Sequence, residues 1–342
     1  MKILFIGKNK GGSKNTYNVI KKIYPQTTFL DISKILGRFY YIIFYHISPI
    51  FFNRIISNFY KKKITKFYDL VFFFNVELIN DDSLKLISKY SKRTYFYCAD
   101  NPFVNRDKQR WSLIKKIISK FNLVIFHQKN RENYVKNYKI KRFITIIPPY
   151  FKNIQLINKK KTNKRDIAFI GTWFPERGKF FYELKKKGFN VDIYGPQWDK
   201  DKKYYKYLKK NINLKEMSQR EVAKTISKYK IALGLLSKGN KDDITRRCIE
   251  IPATGTMLCS ERTVTIKKIL IENKEAIYFS NPNECIRKCN NLLNNPRLCI
   301  KIAANGHKKI VKVLRPEAER IFKKIIDPSY IEKNINKFLY KF

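Results

Sequence analysis

The chain is punctuated by short apolar runs of β-branched and aromatic residues, separated by stretches long enough for helices. In the first half these runs are KILFIG (2–7), YDLVFFFN (68–75), RTYFYCAD (93–100), NLVIFHQ (122–128) and RFITIIPP (142–149). Continuous apolar runs, unlike alternating ones, suit strands buried on both faces, and parallel strands need helix-length crossovers to join them. After Phe151 the sequence turns polar through KKKTNKR and reads as a linker. The pattern then restarts with DIAFIG (166–171), FNVDIYG (189–195), KIALGLL (230–236), TMLCS (256–260) and AIYFS (276–280). Helices are expected near Lys14–Ile23, Lys179–Lys187 and Ser218–Tyr229, with further helices running to the C-terminus. The expected fold is α/β: two facing Rossmann-like domains with parallel sheets, a cleft between them, and ligands outside the C-terminal strand ends.

Size agrees with two domains, since 342 residues exceed what single hydrophobic cores usually reach. A content of 44% hydrophobic and 29% charged residues excludes a disordered or collagenous chain. The net charge of +46 points to a polyanion partner, either nucleic acid or an anionic membrane. The basic residues are nevertheless spread along the chain, as at Lys61–Lys63, Lys159–Lys161 and Lys185–Lys187. The chain is also rich in Lys, Asn, Ile, Tyr and Phe, whose codons are A/T-rich, so a base-composition bias would raise them all together. A nucleic-acid-binding protein remains a competing class. It requires clustered basic residues with exposed aromatics, whereas the aromatics here lie mostly inside strand-like runs.

Export and membrane spanning fit poorly. The apolar run Ile3–Ile6 stops at Gly7-Lys8, too short for the roughly 7–15 residues of a signal-peptide core. The longest uncharged stretch, Phe39–Asn53, contains His46, Ser48 and Pro49 and falls short of the about 20 apolar residues of a transmembrane helix. The cysteines (98, 248, 259, 285, 289, 299) show no C-x-x-C pair, so reduced thiols in a cytoplasmic protein are expected, without a zinc site. Gly11-Gly12 lacks the G-x-G-x-x-G spacing of a dinucleotide site.

The segment LLSKGNKDDITRRCIEIPATGTMLCSER (235–262) carries the most chemistry. A strand leads through Asp242-Asp243 to Thr245, placed as the N-cap of a helix holding Arg247 and Glu250 on one face. Unpaired N–H groups and the helix dipole at that end make an anion site. Arg247 would meet a diphosphate and Glu250 the hydroxyls of a ribose. The alternative is an ordinary surface helix with an exposed Arg–Glu pair.

TRRCIEIPATGTMLCSER resembles the T-x-R-x-F/I-E-I-x-A-x-G signature of the spore maturation protein CgeB-type glycosyltransferases, which group with the GT-B enzymes. DIAFIGTWFPERG, VDIYGPQW, NKEAIYFSNPNECIRKCNNLLNNPRL, YFYCADNPF and LVIFHQKNRENYVKNYKIKRFITIIPPYF are similar to further elements of that family in the same order. The resemblance runs from about residue 66 to 315 and is weakest over 8–65.

It implies a GT-B glycosyltransferase moving a sugar from a nucleotide-sugar donor to a glycan, lipid-linked or protein acceptor. The implied boundaries are an acceptor-side domain (1–152), a linker (153–165), a donor domain (166–325), and a helical tail (326–342) that packs back on the first domain. In family terms Glu250 matches the second acid of an E-x7-E motif and holds the ribose. Asp242 stands for the first acid near the transferred sugar, one methylene shorter, with Asp243 beside it as a substitute. Thr245, Arg246 and Arg247 approach the diphosphate, and Gly171 and Arg177 match the glycine loop and basic residue that neutralise it.

The catalytic assignments are therefore Asp100 and Asp242, with Gly11, Gly12 and His127 on the acceptor side. Asp100 acts as a base or binds an acceptor hydroxyl; its plainer reading is a turn-capping residue before Asn-Pro. A retaining enzyme needs no protein base and an inverting one does, and the sequence leaves both open. No D-x-D pair ends a strand, so a metal-independent reaction without cofactor is expected, the leaving diphosphate being stabilised by Arg and a helix N-terminus. A GT-B fold serving as an inactive coat component is the third class. The expected location is cytoplasmic, with peripheral contact to the inner face of an anionic membrane through residues 37–63; the other reading of that stretch is a buried amphipathic helix.

Overall fold

Strand and helix alternate through the first half: β1 (Ile3–Gly7), α1 (Gly11–Ile23), β2 (Thr28–Asp31), α2 (Arg38–His46), α3 (Asn53–Lys63), β3 (Leu70–Phe74), α4 (Asp81–Lys89), β4 (Thr94–Cys98), α5 (Ser112–Ile117), β5 (Leu123–Phe126) and β6 (Phe143–Ile146). The second half runs β7 (Arg165–Ile170), α6 (Pro175–Lys186), β8 (Asp192–Tyr194), α7 (Tyr205–Leu208), β9 (Ile212–Asn213), α8 (Gln219–Ile226), β10 (Tyr229–Gly234), α9 (Arg247–Ala253), β11 (Met257–Glu261), α10 (Val264–Ile269), β12 (Ile277–Phe279), α11 (Pro282–Asn294) and α12 (Pro296–Lys308). It closes with α13 (Ala318–Ile326), α14 (Pro328–Asn334) and β13 (Phe338–Leu339). The computed structural model describes residues 1–151 and 165–339. The expected linker, 153–165, lies outside the described residues except for Arg165, which opens β7, and so does the end of the expected tail at 340–342.

Contacts group the described residues into two units: 1–147 with 239–241 and 318–339, and 148–238 with 242–317. In the first, seven strands pair in the order β13-β6-β5-β4-β3-β1-β2, all parallel. β1 and β3 to β6 are buried along their whole length, which is why each reads as an unbroken apolar run. Fully burying a side chain of the size of Phe72, Phe73 or Ile125 stabilises by about 1.5–3 kcal/mol. The sequence order of the strands reverses between β1 and β3, the position where open parallel sheets leave a crevice.

In the second unit six strands pair as β12-β11-β10-β7-β8-β9, again all parallel, and the order reverses between β7 and β10. Its core includes Phe169, Phe181, Trp198, Leu233 and Met257. Gly195, just after β8, has φ +140°, and a Cβ there would fall inside contact distance of the Gly171 carbonyl oxygen. The two strand ends meet backbone to backbone, with Gly195 as the residue that lets them. Gly195→Ala is expected to cost about 1–3 kcal/mol, read as a lower urea midpoint at unchanged slope; parental stability would refute the close approach.

Every strand expected from an apolar run is present. β2, β9 and β13 were not expected, for a physical reason. β2 sits on a sheet edge with exposed or half-buried residues, so it needs no apolar run. β9 and β13 are two residues each and also lie on edges. β13 is held by backbone pairing, Thr145 N–H to Lys337 O (3.0 Å) and Ile147 N–H to Leu339 O (3.3 Å). A pairing set by the backbone of a distant strand leaves little pattern in its own sequence.

Candidate donor and acceptor sites

In the second unit β11, β10 and β7 lie side by side, and the loops leaving their C-terminal ends converge on two arginines. Arg177, in the first turn of α6, is 6% exposed. Its guanidinium donates through Nη1 to Thr172 O (2.5 Å) and through Nη2 to Leu235 O (3.3 Å), joining the loops after β7 and β10 across the point of strand reversal. It also lies over the rings of Phe174 (4.4 Å) and Phe169 (5.1 Å). Burial pushes its pKa down to about 10, against Glu176, Glu261 and Asp242, which raise it, and with Arg247, which lowers it further. At neutral pH the group remains a cation. Gly171 lies beneath it: a Cβ there would approach the Phe169 ring to 2.6 Å and Arg177 Nη1 to 3.2 Å.

Arg247, the first residue of α9, donates from Nε to Ile170 O (3.1 Å) and pairs through Nη1 with Glu250. The two guanidiniums are thus anchored to the carbonyls on either side of Gly171. Glu250 is 1% exposed, and its second oxygen, Oε1, has no hydrogen-bond partner. The pair at i and i+3 is therefore partly buried, unlike the exposed surface pair the sequence also allowed. An unpaired buried carboxylate oxygen costs about 1–3 kcal/mol, so it is a position where a ligand hydroxyl would gain.

Thr245 does not cap the helix. Arg246 occupies the N-cap position without a side-chain cap bond, and the Thr245 hydroxyl faces Cys248 Sγ (3.6 Å). With seven residues and Pro252 inside it, α9 is also a weaker dipole than a long helix would be. The local positive charge comes from the arginines instead. Arg246 lies over the Phe151 ring at 5.4 Å, with its Nε buried and unpartnered.

Asp242 folds its own loop: its N–H donates to Ser237 O (3.0 Å) and its carboxylate accepts from Ser237 N–H (3.4 Å). Asp243 is turned to the start of α10, accepting from Thr265 Oγ1 (2.8 Å) while its carbonyl accepts from Thr263 Oγ1 (2.6 Å). That engagement leaves Asp243 poorly suited to replace Asp242. Glu261, at the end of β11, was not anticipated although it closes the motif. It accepts from Leu236 N–H (2.5 Å), and burial raises its pKa against that bond and the nearby Lys238 and Arg177.

In the first unit Asp100 follows β4 and is held by Asn75 Nδ2 (2.7 Å), Arg110 Nη1 (3.2 Å) and Arg106 (3.7 Å). The same arginine, Arg110, lies 3.9 Å from the wholly buried Glu77, which also pairs with Lys8 and accepts from Tyr41 Oη (2.8 Å). Burial alone would lower the Arg110 pKa, but Glu77 and Asp100 outweigh it and the value rises. Lys8, Asn75, Glu77 and Asp100 come from the loops after β1, β3 and β4, at the reversal in strand order. None of Lys8, Tyr41, Glu77, Arg106 and Arg110 carried a motif, because charges from separate loops meet only after the sheet forms.

Gly11 and Gly12 open α1, Gly11 with φ +53° and open space where a Cβ would sit. His127 follows β5, is buried, and bonds through Nε2 to Tyr97 Oη with the two rings edge to face. These contacts pack the His127 ring against Tyr97 of β4.

Among the described residues, one group of His, Cys, Asp or Glu side chains is close enough to share an ion: Cys259, Cys285 and Cys289, with thiols within 4.8 Å of one another. All three are buried in the apolar core of the second unit. Free Cys commonly packs as a small hydrophobe, and this group lies within that core and not among the residues at the strand ends.

Residues 177–318, less than half of the chain, match the family model described as glycosyl transferase-like. No curated protein sequence matches the chain. Among solved structures, Anabaena HepE in complex with UDP-glucose aligns with a TM-score of 0.71 at 12% identity, covering 95% of this chain and 98% of that one. Sucrose-phosphate synthase from Thermosynechococcus elongatus aligns with a TM-score of 0.71 at 10% identity, covering 95% and 99%. A UDP-forming trehalose-phosphate synthase from Burkholderia xenovorans gives 0.67 at 10%, covering 98% and 99%. In fold, the chain is of the GT-B type these proteins share: α/β, with two Rossmann-like units built on parallel sheets of seven and six strands.

Proposed function

We propose that the protein is a glycosyltransferase that takes a sugar from a nucleoside diphosphate donor, with uridine diphosphate as the nucleotide. The observation that carries this is the pair of arginines anchored beside Gly171, with the buried Glu250 carboxylate next to them, where the strand order of the second unit reverses. The glycosyl transferase-like match over 177–318 and the UDP and UDP-glucose named for HepE support it.

In this reading the diphosphate lies against Arg177, Arg247 and Arg246, near Thr245 and over Gly171. Charge developing on the leaving group as the anomeric bond breaks is met by guanidiniums already fixed to the backbone, so little reorganisation is needed during reaction. Glu250 accepts from ribose hydroxyls through its unpaired oxygen, while its other oxygen keeps Arg247 in place. Asp242 lies on the sugar side. Asp100 binds an acceptor hydroxyl, held in place by Asn75 and Arg110, with Gly11 and Gly12 on the same side. The reaction is metal-independent, its charge stabilisation coming from the arginines. The acceptor is a glycan, a lipid-linked glycan or a protein. The motif TRRCIEIPATG favours CgeB-type enzymes within the GT-B group, and six buried free thiols fit a reducing, cytoplasmic setting.

A thermal-shift screen with nucleoside diphosphates and nucleotide sugars tests the reading. A ligand present at 100 times its Kd stabilises by about 2.7 kcal/mol, and uridine diphosphate and one of its sugars are expected to raise Tm the most. If no nucleoside diphosphate or nucleotide sugar shifts Tm, the donor assignment fails.

A further inference from the structure

Residues 37–63, between β2 and β3, are neither one helix nor wholly buried. They form α2 and α3, broken at Ser48-Pro49, and their inner side chains Phe44, Phe52, Ile56 and Tyr60 sit in the core of the first unit. Tyr60 Oη also donates to Leu78 O (2.9 Å). With those anchors in place, the outer side chains cannot fold inward. Phe39 and Phe51 are each 70% exposed, and Tyr40, Ile42, Ile47 and Ile50 are more than half exposed. The rings of Phe39 and Tyr40 lie 5.8 Å apart, and Tyr40 meets Phe52 at 6.0 Å, so α2 and the turn before α3 form one surface. Scattered exposed apolar residues are ordinary, but six large ones within thirteen residues mark a surface built to be covered.

Charge identifies what covers it. Between Asp31 and Asp69 there is no acidic residue, while Lys34, Arg38, Arg54 and Lys61–Lys63 are all exposed. We infer that the α2–α3 surface docks this protein on an anionic lipid bilayer, with the Phe39 and Phe51 rings in the interface and the basic residues against the headgroups. A second copy of the chain fits worse, because self-docking would bring two basic, acid-free surfaces together. A single-stranded nucleic acid fits worse too: Ile42, Ile47 and Ile50 offer no ring face for a base to stack on. The inference stands apart from the donor-site reading, and it favours lipid-linked acceptors among the classes that reading allows.

Sedimentation of the full chain with vesicles tests it, using phosphatidylcholine alone and an equimolar mixture with phosphatidylglycerol. Binding to the mixed vesicles and not to the neutral ones is expected. The charge-neutral variant Phe39→Ser/Phe51→Ser, altered only at exposed positions, is expected to lose roughly tenfold or more in partitioning. Arg54→Gln is expected to lose about fivefold. Both should keep the parental Tm shift with uridine diphosphate, which separates failure at this surface from failure of the donor site. The inference is overturned if the parent stays in the supernatant. It is equally overturned if Phe39→Ser/Phe51→Ser binds as well as the parent, since the diffuse charge alone would then be responsible. A lipid-free dimer that this variant dissociates, or oligonucleotide binding that it abolishes without any vesicle binding, would assign the surface to those partners instead.

Discussion

Glu250→Gln is expected to lower kcat/KM for the nucleotide-sugar donor by on the order of 100-fold while the protein stays folded. The carboxylate is buried, has one oxygen paired with Arg247, and has the other without a partner. In the proposed complex it accepts from both ribose hydroxyls, and hydrogen bonds to a charged group contribute about 1.5–3 kcal/mol each. Glutamine keeps the volume but has one acceptor oxygen and no charge, so part of that interaction survives and most is lost. The loss should fall mainly on KM, because the ribose is bound alike in ground and transition states. Donor hydrolysis or transfer to a soluble acceptor, with circular dichroism as the folding control, reads the outcome. Parental kcat/KM in this variant would remove Glu250 from the donor site.

Arg247→Ala has the largest expected effect on stability. It leaves the Glu250 carboxylate buried without its cation, a change that costs about 3–5 kcal/mol when one partner of a buried pair is removed. It also strips the Ile170 carbonyl of its guanidinium donor. A fall in Tm of about 10 °C is expected. The double variant Arg247→Ala/Glu250→Gln should recover most of that loss, since no buried charge then remains uncompensated. Should the single variant melt with the parent, Glu250 must reach water or another partner, and the pair would not be part of the fold. In the proposed reading the Arg–Glu pair serves both stability and binding, and the two roles are expected to separate: the double variant regains stability and stays inactive toward the donor.

How much of this was legible in the sequence depends on the range of the interactions involved. β3, LVFFF, and β10, YKIALG, announce themselves because a strand covered on both faces must be apolar at nearly every position. The α9 motif was legible because its arginine and glutamate sit three residues apart, where helix geometry brings them together. The capping role given to Thr245 was not correct, because the loop before α9 turns Thr245 toward Cys248. Glu261 and Glu77 escaped notice because each acts on a partner brought by another strand or loop, Leu236 and Arg110 respectively.

The sequence by itself determined the order of the buried strands, the parallel character of both sheets and the neighbourhood of Arg247 and Glu250, because each depends on local periodicity or spacing. Only the tertiary structure decided which carbonyls the two arginines grip, that Glu250 is buried with one oxygen unpaired, and that Phe39 and Phe51 face outward. Those are properties of burial and of contacts between distant segments. An apolar side chain in a helix reads the same whether it faces a core or a partner, and only the packed protein shows which side is already filled.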